Sequence, residues 1–267
     1  MNRISATTKI LLLAQVLCAL SFSLGAQPRK EQPFNEGWQF FKANNQTFFS
    51  DFANGLPYTE AQGQWTSPEV WESVTLPHTY NKDDMQRNRN FYEGKAIYKK
   101  TFFVDDQQSE KRTFLKFEGV GAVAQVYIND RYIGEHKGAY SMFVFEITNV
   151  LDYGKENRIT VITDNTSRKD VLPINHFLFP VYGGIYRPVT MITTAKTNFT
   201  LTDDASSGIF IRQQNVSKNA ADITLTAKVV TTEKVVQDLE LLTEVIDKQG
   251  KVLLRQRDPL RVSPQGV

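Results

Sequence analysis

RTFLKFEGVGAVAQVYIND, Arg112–Asp130, decides the fold. Apolar and polar residues alternate through Arg112–Val120 and again through Ala124–Asp130, and the stretch ends on Asn-Asp. A period of two puts successive side chains on opposite faces of a strand, and Asn-Asp is turn chemistry. The glycines between the halves, in Gly119–Ala124 (GVGAVA), also fit the dinucleotide fingerprint G-x-G-x-x-A. That fingerprint works only when a helix follows and offers its N-terminus to a pyrophosphate. Here another strand pattern follows, so the glycines read as a turn between strands.

The same period recurs on both sides. AIYKKTFFV (Ala96–Val104), SMFVFEI (Ser141–Ile147), NRITVIT (Asn157–Thr163) and IYRPVTMI (Ile185–Ile192) alternate and are separated by Tyr153-Gly154-Lys155 and Asp164-Asn165. No segment carries an apolar stripe at helical spacing. Aromatics make up 12% of the 267 residues, with 18 Phe and 10 Tyr, which also favours strands. The expected class is all-β, a sandwich of short strands. Residues 194–208 are polar and mark a boundary. Beyond it DITLTAKVV (Asp222–Val230) alternates with Ile223, Leu225, Ala227 and Val229 on one face. DLELLTEVID (Asp238–Asp247) and KVLLRQ (Lys251–Gln256) flank a Lys248-Gln249-Gly250 turn. This second pattern suits an immunoglobulin-like sandwich, but about 60 residues are too few for one of about 100.

Residues 1–26 read as a secretory signal peptide: Arg3 and Lys9, then the apolar run Ile10–Leu24, then small residues at Gly25 and Ala26. The run is short for a membrane span, which takes about 20 residues. Export to the periplasm or medium is expected, with no membrane contact after cleavage. Cys18, the single cysteine, would leave with the signal. Removing Arg3 and Lys9 takes 31 basic residues to 29, equal to the 29 acidic ones. A balanced chain lacks the basic field that nucleic acid requires.

His78, His136 and His176 have no metal spacing to one another, so neither a metal nor a cofactor is expected. His78 and His136 read as loop residues. The acidic neighbours Asp83-Asp84, Asp105-Asp106 and Asp203-Asp204 read as solvated turns rather than a catalytic pair. Neither G-x-S-x-G nor a phosphate-binding loop occurs. Sequons stand at Asn45, Asn165, Asn198 and Asn215. Trp38, Trp65 and Trp71 are candidates for a sugar-stacking platform, with core packing the plainer reading.

A second decisive stretch is VYGGIYRPV, Val181–Val189. Two glycines admit positive φ and close backbone approach. Arg187 is suited to a bidentate carboxylate pair, and Pro188, without an N–H, marks an edge or bulge. Together with FNEGWQF (Phe34–Phe40), WESVTLPHTYN (Trp71–Asn81), YEGKAIYKKTF (Tyr92–Phe102) and Phe114–Thr148, this stretch resembles the N-terminal part of glycoside hydrolase family 2, the β-galactosidase and β-glucuronidase family.

The resemblance implies a jelly-roll, galactose-binding-like sugar-binding domain over residues 34–196. An immunoglobulin-like sandwich, incomplete over 206–267, would follow, and then a (β/α)₈ barrel carrying both catalytic glutamates. That barrel is not matched, so no catalytic residue is assigned; Asn35-Glu36 lies in the domain-opening segment and is not a catalytic pair. In the family an Asp-Phe in the loop before the paired glycines helps to bind the sugar. Here Asn175 and His176 occupy that place and are the expected substrate-binding residues, with an oligosaccharide or β-glycoside as partner. A free-standing carbohydrate-binding protein is the alternative.

Overall fold

The computed structural model describes residues 29–42, 71–84, 91–172, 181–218 and 220–264. Strands β1 (Lys30–Pro33), β2 (Trp38–Lys42), β3 (Glu72–Val74), β4 (Lys95–Val104), β5 (Arg112–Phe117), β6 (Val123–Ile128), β7 (Arg131–Lys137), β8 (Phe143–Glu146), β9 (Lys155–Asp164) and β10 (Val189–Thr194) form two antiparallel sheets. One has four strands in the order β1-β10-β5-β8, the other six in the order β3-β2-β4-β9-β6-β7. No α-helix occurs among the described residues.

Alternation explains the layering. Ala124, Val126 and Ile128 of β6, Ile159 and Val161 of β9, and Ala96 and Tyr98 of β4 form one wall of the core. Leu115 and Phe117 of β5, Phe143 of β8, and Val189 and Met191 of β10 form the other. Burying one such side chain fully contributes about 1.5–3 kcal/mol. β5 is buried on both faces: Phe114 points away from the main core and packs with Ile192 and Leu201, so the chain after β10 covers this sheet. The Asn129-Asp130 turn joins β6 to β7 as a two-residue hairpin, with φ of 50° and 63°. Both central residues of such a turn need positive φ, which Asn and Asp tolerate.

The expected strand at Ile185–Ile192 starts only at Val189; before it Gly184 makes an isolated bridge to Gly121. β11 (Thr197–Phe199) pairs with β14 (Val229–Thr231), β12 (Ile209–Gln214) with β13 (Asp222–Ala227), and β15 (Gln237–Ile246) with β16 (Val252–Val262). Alternation in Asp222–Val230 is interrupted at Lys228, whose N–H bonds to Gly208 O and whose carbonyl accepts from Thr200 N. The Lys248-Gln249-Gly250 turn is present, closed by the Asp247 carboxylate on the N–H groups of Gln249 and Lys251. The apolar face predicted for β13 is formed but uncovered: Ile223 is 59% and Leu225 38% exposed, and Leu254 of β16 is 55% exposed.

The glycines of Val181–Val189 answer to tight packing. A Cβ on Gly183 would stand 1.9 Å from the Tyr80 hydroxyl, and one on Gly121 would stand 2.0 Å from the carbonyl oxygen of Tyr182. Tyr80 is buried and hydrogen-bonded, so its ring cannot swing aside. Gly37, at φ +75°, has open space around its Cβ position. Gly183→Ala should therefore lower stability by about 3 kcal/mol through overpacking. Gly37→Ala should lose only the about 1–2 kcal/mol of a positive φ. Urea denaturation of both variants measures the difference.

Candidate functional site

The residues that the sequence suggests for sugar contact, Asn175 and His176, fall in residues 173–180. Both lie outside the described residues, as does Trp65. The chain on either side of residues 173–180 is packed. Val171, which leads in, and Val181, which leads out, pack in one apolar cluster with Ala122, Val123 and Ala139. The two ends of the loop are thus held together.

The outgoing end is held by a second segment, Leu76–Asn81. His78 N donates to Ile185 O at 2.8 Å, and Tyr80 N to Gly183 O at 3.3 Å. Thr79 Oγ1 donates to Gly183 O at 2.8 Å, and Gly183 N donates to Asn81 Oδ1 at 2.7 Å. On the other side Gly121 and Gly184 exchange two backbone hydrogen bonds, of 3.0 and 3.3 Å. Three pieces of backbone therefore meet where side chains would keep them apart.

Asn165 ties these pieces together. It is 0% exposed. Its Nδ2 donates to Val181 O at 2.9 Å, Tyr92 O at 3.0 Å and Asn81 Oδ1 at 3.3 Å. Its Oδ1 accepts from Gly94 N at 2.8 Å and from the Tyr80 hydroxyl at 3.1 Å. Asn81, also fully buried, donates to Tyr92 O and to Asp84. An amide is suited to this position because it donates and accepts at once, whereas a carboxylate would be charged and lack donors. The Asn165 sequon is thus a structural amide, and a glycan there is incompatible with this fold.

The incoming end is ionic. Asp170 accepts from Arg168 Nε at 2.9 Å and from Lys137 Nζ at 2.8 Å, and the Arg168 bond first, then the Lys137 bond, holds its carboxyl well below the usual range. The cluster is solvated, so it fixes geometry more than it stabilises.

Of the two histidines read as loop residues, His78 does lie outside any strand, though packed, and His136 lies on a strand. His78 lies 4.7 Å from the Phe40 ring centroid and shares a 2.8 Å hydrogen bond with the Tyr98 hydroxyl. His136 is on β7, stacked on Phe143 at 4.3 Å. Burial pushes both pKa values below the ordinary 6.5. The acidic neighbours serve turns: Asp84 binds Asn81 and Tyr92 N, Asp105 caps the following turn of 3₁₀-helix, and Asp203 pairs with Lys228. Trp38 is 1% exposed and belongs to the core, while Trp71 lies beneath Lys99. Arg187 is exposed and stands beside the Tyr186 ring rather than a carboxylate. Among the described residues no group of three His, Cys, Asp or Glu could hold a metal. GVGAVA leads into β6 with no helix, as its strand reading requires.

Comparison with known proteins agrees with this architecture. Residues 57–195 match the model of the glycosyl hydrolases family 2 sugar binding domain, and the chain belongs to that family. A β-glucuronidase of Bacteroides fragilis is 35% identical over 207 residues, which cover 72% of this chain and 30% of the relative. A β-galactosidase of Thermoanaerobacter pseudethanolicus is 34% identical over 67% of this chain and 22% of its own length. Among solved structures, a putative β-galactosidase of Bacteroides fragilis is 42% identical with a TM-score of 0.79, matching 89% of this chain and 34% of that one. A Bacteroides uniformis β-glucuronidase gives 28% identity and a TM-score of 0.76 over 88% of this chain and 26% of its own. The chain corresponds to the N-terminal portion of such enzymes and spans less than two thirds of their length.

Asn165→Ala should cost at least about 3 kcal/mol, since each buried group left unpaired costs about 1–3 kcal/mol. Chemical denaturation reads the loss. The histidines give a second expectation. Their folded pKa values lie below 6.5, so between those values and 6.5 the unfolded chain binds more protons. Stability should be full above that window and fall as the pH drops through it. Thermal melts across the window should show this decline, and His78→Gln should flatten it.

Proposed function

We propose that this chain is the non-catalytic, sugar-binding front of an exported β-glycosidase, most like a β-galactosidase. Hydrolysis would proceed with retention through two carboxylates about 5–5.5 Å apart, supplied by a barrel outside the matched stretches. The observation that carries this reading is the anchored loop base. Within the family's own domain, two buried asparagines and paired glycines hold the chain that leaves residues 173–180, and Val171 and Asp170 hold the chain that enters them. A loop fixed at both ends can present Asn175 and His176 to a sugar held by a neighbouring domain. Both side chains can hydrogen-bond hydroxyls. The uncovered apolar residues of β12, β13, β15 and β16 fit a partial sandwich that further chain would complete.

Free-standing sugar binding is the weaker reading, because Trp38 is in the core and Trp71 lies under a lysine. Export rests on residues 1–26, and the mature chain is expected to begin at Gln27.

The purified chain should not hydrolyse 4-nitrophenyl β-galactoside or β-glucuronide. Joined to a barrel of this family it should become active, and Asn175→Ala or His176→Ala should then raise KM more than they lower kcat. Turnover by the isolated chain would refute the proposal. Mass spectrometry of the chain secreted from a Gram-negative host checks the signal cleavage.

A further inference from the structure

A cleft at the opposite end of β4 takes no part in the loop anchor. β2 pairs with β4 from Lys42↔Ala96 to Gln39↔Lys99, while β4 continues beside β9 to Val104. On the β2 side, the edge of β4 beyond Lys99 faces a cleft of about 500 Å³. Gln39, Ser73, Thr75, Lys99, Lys100, Thr101 and Arg158 line it, and among the described residues no carboxylate does. Lys100 lies six residues along the chain from Gly94, about 20 Å from the Gly94–Asn165 contact.

We propose that this cleft binds an anionic saccharide unit, with Lys100 as its charged anchor. The Lys100 ammonium sits 3.9 Å from the Phe34 ring centroid and 6.0 Å from that of Trp38. Among the described residues it has no ion pair, whereas Arg158 already holds Asp130 and Lys99 covers Trp71. Glu36, the acid whose charge acts on Lys100, accepts a 2.8 Å hydrogen bond from Thr75. Burial draws the Lys100 pKa down, partly offset by Glu36, and an anion in the cleft would offset it further.

The shape and lining select the ligand class. The volume exceeds that of a lone inorganic anion and suits a small organic ligand. Gln39, Ser73 and Thr101 provide an amide and two hydroxyls for ring hydroxyls. A neutral sugar would rely on an open aromatic face. Trp38, the only aromatic lining residue among those described, is 1% exposed, so charge must supply the recognition. A nucleic-acid phosphate is disfavoured by the balanced charge of the chain after residue 26. The proposal is independent of the glycosidase reading, because no hydrolysis is involved.

The test is an NMR titration of the isotopically labelled full chain with methyl β-glucuronide, methyl β-glucoside 6-sulfate and neutral methyl β-glucoside. The anionic glycosides should move the amide signals of Gln39, Ser73 and Thr101 saturably, and the neutral one should not. Response to the glucuronide alone assigns a carboxylate ligand, and response to the sulfate alone assigns a sulfate ester. Lys100→Met should weaken binding about tenfold, the scale of one charge-assisted hydrogen bond, and Lys100→Arg should largely preserve it. Ser73→Asp, at an exposed strand position, should weaken it by repulsion even if the methionine disturbs the core. Equal binding of the neutral glycoside, no saturable shift with either anion, or unchanged affinity in both Lys100→Met and Ser73→Asp overturns the proposal.

Discussion

At Gly121 and Gly184 two stretches of backbone come close enough to exchange hydrogen bonds in both directions. One stretch ends the turn between the two central sheets, and the other ends the loop that leads into β10. A methyl group on Gly121 would overlap the neighbouring carbonyl, and one on Gly183 would overlap the Tyr80 hydroxyl. Because the contact is backbone to backbone, neighbouring side chains have little room to relax around a substitution. The chain leaving residues 173–180 is held at this fixed point.

The polar network around that contact is buried and satisfied. Asn165 engages five partners, and Asn81 joins it to Gly183 and Tyr92. Such a network stabilises little in net terms, because water would satisfy the same groups in the unfolded chain. Its effect is specificity, since any displacement of Val181 or Gly183 strands a buried donor or acceptor. Rigid geometry at the loop base follows from the penalty for error rather than from the strength of any one bond.

Much of the sandwich was legible in the sequence because period-two alternation maps directly onto one buried face, as in β6 and β9. The Asn129-Asp130 turn was legible for the same local reason. The anchor was not. Asn165 reads as a turn residue within a sequon, and nothing local reveals that its amide reaches residues 73 to 85 positions away. His78 likewise gave no sign of its packing against Phe40 and Tyr98, since its neighbours are Pro77 and Thr79. The ordered motifs Trp71–Asn81 and Tyr182–Val189 pointed to the family, but only the fold shows that they touch. In the last strands alternation was legible and burial was not, because burial depends on what covers the sheet. Asn175 and His176 rest on the family resemblance alone.

The central claim is that backbone closure at the paired glycines holds the loop base rigid. Amide hydrogen exchange measures it residue by residue. The N–H groups of Gly121, Gly183 and Gly184 should exchange as slowly as those of β6 and β9, and in Asn165→Ala they should accelerate while β6 and β9 stay protected. Rapid exchange at Gly183 and Gly184 in the unmodified chain would contradict the account.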